Sequence, residues 1–108
     1  MNEIIARNEI YNDGKTIHLY FNGLVGLYTA YGMSAYLLSK QAETTPSYSE
    51  SMQMPVVVIN AAHYRELAHK LSLLKNIGSY RCMAVENPAD QDAYDEWASS
   101  LRQGVTNV

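Results

Sequence analysis

The stretch that most constrains this chain runs from Gly26 to Leu38, reading Gly-Leu-Tyr-Thr-Ala-Tyr-Gly-Met-Ser-Ala-Tyr-Leu-Leu. Tyr and Thr, which favour strands, crowd its first half, whereas Met, Ala and Leu, which favour helices, follow Gly32. Leu24, Tyr28, Tyr31, Ala35 and Leu38 also sit at helical spacing, so periodicity alone admits both structures. Gly23, Gly26 and Gly32 each weaken a continuous helix. The reading that respects all of these is a strand up to Tyr31, a turn at Gly32 and a helix from about Met33 to Gln41. The corner between them is the centre of the expected fold.

The rest of the chain supplies partners for that corner. Glu3 to Tyr11 mixes apolar and polar residues without a clean period and reads as an N-terminal strand or irregular lead-in. Asn12-Asp13-Gly14-Lys15 is a turn signal, because Asp-Gly reaches positive φ at little cost. Thr16 to Phe21 alternates and reads as a strand. Asn22-Gly23 is a second tight turn, from which Leu24 to Tyr31 pairs back. Ala42 to Gln53 is polar and reads as a mobile loop. Met54 to Ile59 carries an unbroken Val-Val-Val-Ile run, as expected of a central strand covered on both faces. Asn60 is a good N-cap. Tyr64, Leu67, Leu71 and Leu74 mark the buried stripe of a helix from Ala61 to Asn76, ended by Gly78. Tyr80 to Glu86 is another strand, with Met83 and Val85 on one face and Cys82 and Ala84 on the other. Asn87-Pro88 opens a last helix, about 88–103, with Tyr94, Trp97 and Leu101 on its buried face and Arg102 and Gly104 closing it. The expected class is α/β in the α+β sense: a mixed sheet with about three packed helices, in one domain spanning 1–108.

Composition narrows the function. No apolar run reaches the roughly 20 residues that span a bilayer, and Met-Asn-Glu-Ile-Ile-Ala-Arg lacks the core of a signal peptide. The single cysteine, Cys82, has no internal partner for a disulfide, which fits the reducing cytoplasm. The formal net charge of −3 opposes general affinity for nucleic acid. Its distribution is uneven: Arg65, Lys70, Lys75 and Arg81 face only Glu66 between residues 61 and 81, whereas 86–96 is purely acidic. Nine tyrosines suit half-exposed sheet surfaces and interfaces, since each ring carries a polar tip.

The Gly26–Leu38 corner resembles the N-terminal mismatch-recognition domain of the MutS DNA-repair family. There the same strand-to-helix corner carries Gly-Asp-Phe-Tyr-Glu, whose Phe wedges beside a mispaired base while its Glu bonds to the base. The likeness continues through Met54-Pro55-Val56, the following helix, Gly78 and the strand closing at Val85-Glu86-Asn87, about 16–88 in all. The wedge position is Leu27 here and the acidic position is Thr29; the family's Pro-Tyr-His at the later helix entry is Asn60-Ala61-Ala62. The resemblance implies a DNA-contacting edge at Leu27, Tyr28, Thr29 and Tyr31, aided by Arg65, Lys70 and Lys75 if these share a face. An aliphatic wedge at a base step remains feasible. The family's clamp, lever and ATPase have no counterpart in this chain.

Catalytic and metal motifs give no lead. Gly14-Lys15-Thr16 matches the end of a phosphate-binding loop, but the glycine needed five residues before Gly14 is Glu9. His63 and His69 fall on different faces of a helix, without a Cys or His partner at ligand spacing. Cys82, between apolar residues in a strand, reads as core. Asp90, Asp92, Asp95 and Glu96 suit the positive end of a helix dipole. The expected function is a small non-enzymatic domain without cofactor or metal, and the resemblance implies that it is associated with nucleic acid, with DNA as the candidate partner. The alternative is a protein-interaction or self-associating module on the same scaffold.

Overall fold

A computed structural model describes residues 2–106, with side-chain surroundings for 3–102. The order of elements is α1 (Asn2–Ile10), β1 (Thr16–Asn22), β2 (Leu27–Tyr31), α2 (Gly32–Gln41), β3 (Ser47–Ser49), β4 (Met54–Asn60), α3 (Ala61–Lys70), β5 (Ser72–Ile77), β6 (Tyr80–Ala84) and α4 (Gln91–Thr106). The six strands form one sheet in the order β3-β4-β2-β1-β6-β5. The α+β class holds, and all five strand pairings are antiparallel, without the parallel pair that a mixed sheet contains.

The alternation of β1 and β2 divides the sheet into two faces. Ile17, Leu19, Tyr28, Ala30, Val57, Ile59 and Met83 point to one side and are buried with Leu37 and Leu38 of α2 and Leu67 of α3. Tyr94 and Trp97 of α4 pack on this core at Tyr36, with ring centroids 6.2 and 5.1 Å from it. Burial and Glu9's charge, with smaller contributions from Asp95 and Tyr48, push the Tyr94 hydroxyl up to about 12. The other side carries Tyr20, Thr29 and Val58 in register. Against it lies α1, whose Asn8 Nδ2 donates to Tyr20 Oη at 2.9 Å.

Several expectations are corrected. Residues 3–10 form a helix rather than a strand or lead-in, and a buried carboxylate fixes it: Glu9 reaches the start of α2 and accepts Ser34 N–H at 2.9 Å. Tyr31 gives that helix no side-chain cap, so Glu9 satisfies its free donor from a distance. Gly32, with φ +55°, makes this approach possible; a Cβ there would stand 3.1 Å from Glu9 Cβ. The chain leaves α3 at Leu71 rather than Asn76, because Ser72–Ile77 pairs with β6 and Gly78 turns the resulting hairpin. Leu74 is accordingly exposed rather than part of a buried stripe. The 42–53 segment, expected to be a loop, contains the short strand β3 and a turn where Gln53 Nε2 donates to Glu50 O at 2.7 Å. The last helix begins at Gln91, not Pro88, since Asp90 Oδ1 accepts Ala93 N–H at 2.7 Å as its cap. It runs through Gly104 to Thr106. The valine run lies in β4 and is not covered on both faces: Val57 is buried but Val58 is 47% exposed.

Candidate functional site

The residues around the glycine corner separate by strand alternation. Leu27, Thr29 and Tyr31 point to the α1 side of the sheet and are half-buried. Tyr28 points the other way, into the core, stacked on Tyr64 of α3 at 4.2 Å with planes 7° apart and tilted against Phe21 at 4.7 Å. It is 8% exposed and forms part of the scaffold rather than a contact surface. Arg65 and Lys70 are exposed on α3, behind the sheet from Leu27. Lys70 Nζ donates to Gln41 O at 3.2 Å. Lys75 lies on β5 at the far edge, opposite Cys82. Arg65 and Lys70 thus lie behind the sheet and Lys75 at its far edge, so the three do not gather beside the corner.

Helix α1 covers the β1–β6 half of its face and leaves the β2–β4 half open. There Val56 and Val58 stand beside Tyr31 and Thr29 in the paired register, and Leu27 stands beside Asn60. At the β1–β2 hairpin tip Leu24 is 97% exposed and Val25 61%. A concavity of about 350 Å³ opens along β4 beside the short β3, lined by Leu27, Val56 and Val58 together with the polar Glu43, Thr44, Thr45, Ser47, Asn60 and His63. No lysine or arginine lines it. A lining that mixes Leu27, Val56 and Val58 with hydroxyl, amide and imidazole groups and one carboxylate can take up apolar side chains and backbone polar groups of a partner, and lacks the clustered lysine and arginine that a phosphate backbone calls for.

From Tyr31 on the open half, an aromatic row runs through Tyr20 to Tyr80 on the covered half, across β2, β1 and β6, with centroids 6.4 and 5.7 Å apart. His18 stacks on Tyr80 with planes 16° apart, and its Nδ1 lies 2.6 Å from Tyr80 Oη. Burial first and the charge of Lys75 second hold His18 below its ordinary range, whereas burial pushes the Tyr80 hydroxyl up. Both shifts favour the neutral forms of the pair. Beneath it, Ser34 Oγ donates to Glu9 Oε2 at 2.7 Å and accepts from His18 N–H at 2.9 Å, and Asn12 Nδ2 donates to Glu9 Oε1 at 3.2 Å. Burial lifts Glu9 to about 7 against the pull of these bonds. This network ties α1, α2 and β1 together; every polar atom of it is partnered. Among the described residues, no group of three His, Cys, Asp or Glu side chains is placed to hold a metal ion. No helix is long and apolar enough to cross a membrane among those residues.

Val56, Val58 and Tyr20 join the face without having been singled out in the sequence. Their signal was present in the period-two alternation of Thr16–Phe21 and of the valine run, which places every second residue on the same side as Thr29. No family model, curated protein or solved structure matches the chain.

Proposed function

We propose that this chain is a non-enzymatic cytoplasmic interaction domain that docks another protein on the open half of its sheet. The observation that carries the reading is the common outward direction of Leu27, Thr29, Tyr31, Val56 and Val58 beside a concavity lined by no lysine or arginine. Half-exposed apolar strips bordered by polar groups are the usual ground for protein docking. The buried free thiol of Cys82 fits a reducing compartment. The test is the mass of the tagged full chain in a native lysate of its own cells. Wild type and Arg65→Ala are expected in an assembly larger than the 12.1 kDa monomer, and Val58→Asp at monomer mass. A wild-type chain running as a monomer would contradict the proposal.

A second reading follows the resemblance to the MutS mismatch-recognition domain, in which this corner meets DNA. It is favoured by one observation: Leu27 and Thr29, at the wedge and reading positions, both point outward on one strand. Binding to labelled mismatched, bulged and single-stranded DNA at low salt, weakened by Leu27→Asp, is its expected signature. Retention no greater than that of an acidic protein of equal size would remove it.

A further inference from the structure

We infer that β5 is a second docking edge, distinct from the open face, that accepts an extended acidic segment of another protein as an added strand. The two edges of the sheet differ. Edge strand β3 has three residues and is flanked by α4, whose Tyr94, Asp95 and Arg102 line a groove with Tyr48 of that strand. Edge strand β5 has six residues, Ser72–Ile77, and every one is exposed. Its inner side pairs with β6, which leaves an outward row of backbone donors and acceptors of the kind that template a further strand. Leu73, Leu74 and Ile77 are 41, 56 and 69% exposed along it.

Charge selects the occupant. Lys75 stands near the middle of β5, and among the described residues no carboxylate lies within ion-pair distance of it. Two β5 strands paired antiparallel about their centres would bring the Lys75 side chains of both copies close together, which disfavours a second copy. The bulge between Leu73 and Lys75 further disturbs a symmetric register. An incoming strand with Asp or Glu across from Lys75 meets a complementary charge instead. Lys75 also lines a concavity of about 340 Å³ formed with Ile4, Asn8, Tyr20, Ser79 and Tyr80. Its walls suit a bulky apolar or aromatic side chain, and residues two apart on an added strand share that side. The partner is thus an extended segment with one acid and a large apolar residue two positions away.

The experiment is a titration of the isotopically labelled full chain with nine-residue threonine–valine peptides carrying one Tyr and one Glu, the Glu walked through successive positions. A matched set carries Lys in place of Glu. At low salt, amide shifts are expected in β5 and β6 and at Tyr20, with one Glu position bound about five-fold or more tightly than its Lys counterpart. Lys75→Glu is expected to reverse that preference, while Val58→Asp leaves it unchanged. Equal affinity for the two sets, shifts confined to β4, or no shifts at all would overturn the inference. So would a concentration-dependent dimer in sedimentation that peptide does not dissociate. Because the charge preference is read first on the unaltered chain, a poorly folded Lys75→Glu variant would leave the test intact.

Discussion

Glu9 is the residue on which the N-terminal helix turns. Its carboxylate is buried, yet it accepts from Ser34 N–H, Ser34 Oγ–H and Asn12 Nδ2, the donors a carboxylate at a helix start requires. Burial outweighs them and raises its pKa from 4.5 to about 7. The folded chain then holds this proton more tightly than the unfolded chain, so folding takes up a proton across that window. Stability falls as pH rises from about 4.5 to 7 and levels off above, by up to ~3 kcal/mol. Glu9→Gln removes this slope; urea unfolding at pH 5 and pH 8 is expected to show wild type losing stability relative to the variant. Parallel losses in the two chains would refute the assignment. Gly14 is the other residue without a substitute. At φ +83° its added Cβ would collide with the carbonyl oxygen of Ala89, whose N–H bonds back to Gly14 O at 3.0 Å. Gly14→Ala is expected to lower stability by about 2 kcal/mol or more in the same assay.

At the scale of the element, β2 shows how alternation sorts neighbours into opposite roles. Tyr28→Ala empties a stacked position in the core and is expected to cost about 3–5 kcal/mol. Leu27→Ala, one residue earlier on the open side, is expected to cost under about 1 kcal/mol; equal losses in thermal unfolding would mean the two faces are misassigned. Asn60→Ala is expected to cost about 1 kcal/mol, since Asn60 Oδ1 caps α3 at His63 N–H, 2.9 Å away. These elements were legible because their signals are local: Gly32 punctuates β2 and α2, Asn60 announces α3, and Thr16–Phe21 alternates. Two of the misread segments depend on distant partners. Asn2–Ile10 becomes a helix that is held by a carboxylate bonded to Ser34, twenty-five positions on. Ser72–Ile77 continues the leucine spacing of α3 but is claimed by pairing with β6, and a tertiary hydrogen-bond ladder outweighs helical periodicity there. The candidate site was half legible for the same reason. Leu27, Thr29 and Tyr31 belong together by alternation, whereas the separation of Arg65 and Lys70 from them follows from which side of the sheet α3 packs on.

For the whole molecule, the decisive asymmetry is that, among the described residues, three helices cover one face of the sheet and only α1 lies on the other. The uncovered β2–β4 half, with Leu24 and Val25 at its tip, leaves apolar surface in water that folding alone does not hide. Placing a photo-crosslinking amino acid at position 58, on this surface, and at position 65, behind it, tests the docking proposal most directly when done in the cells that make the chain. The account expects a discrete protein adduct from position 58 that Leu27→Asp abolishes, with none from position 65. Adducts of equal yield from both positions, or crosslinks to nucleic acid alone at position 58, would contradict it.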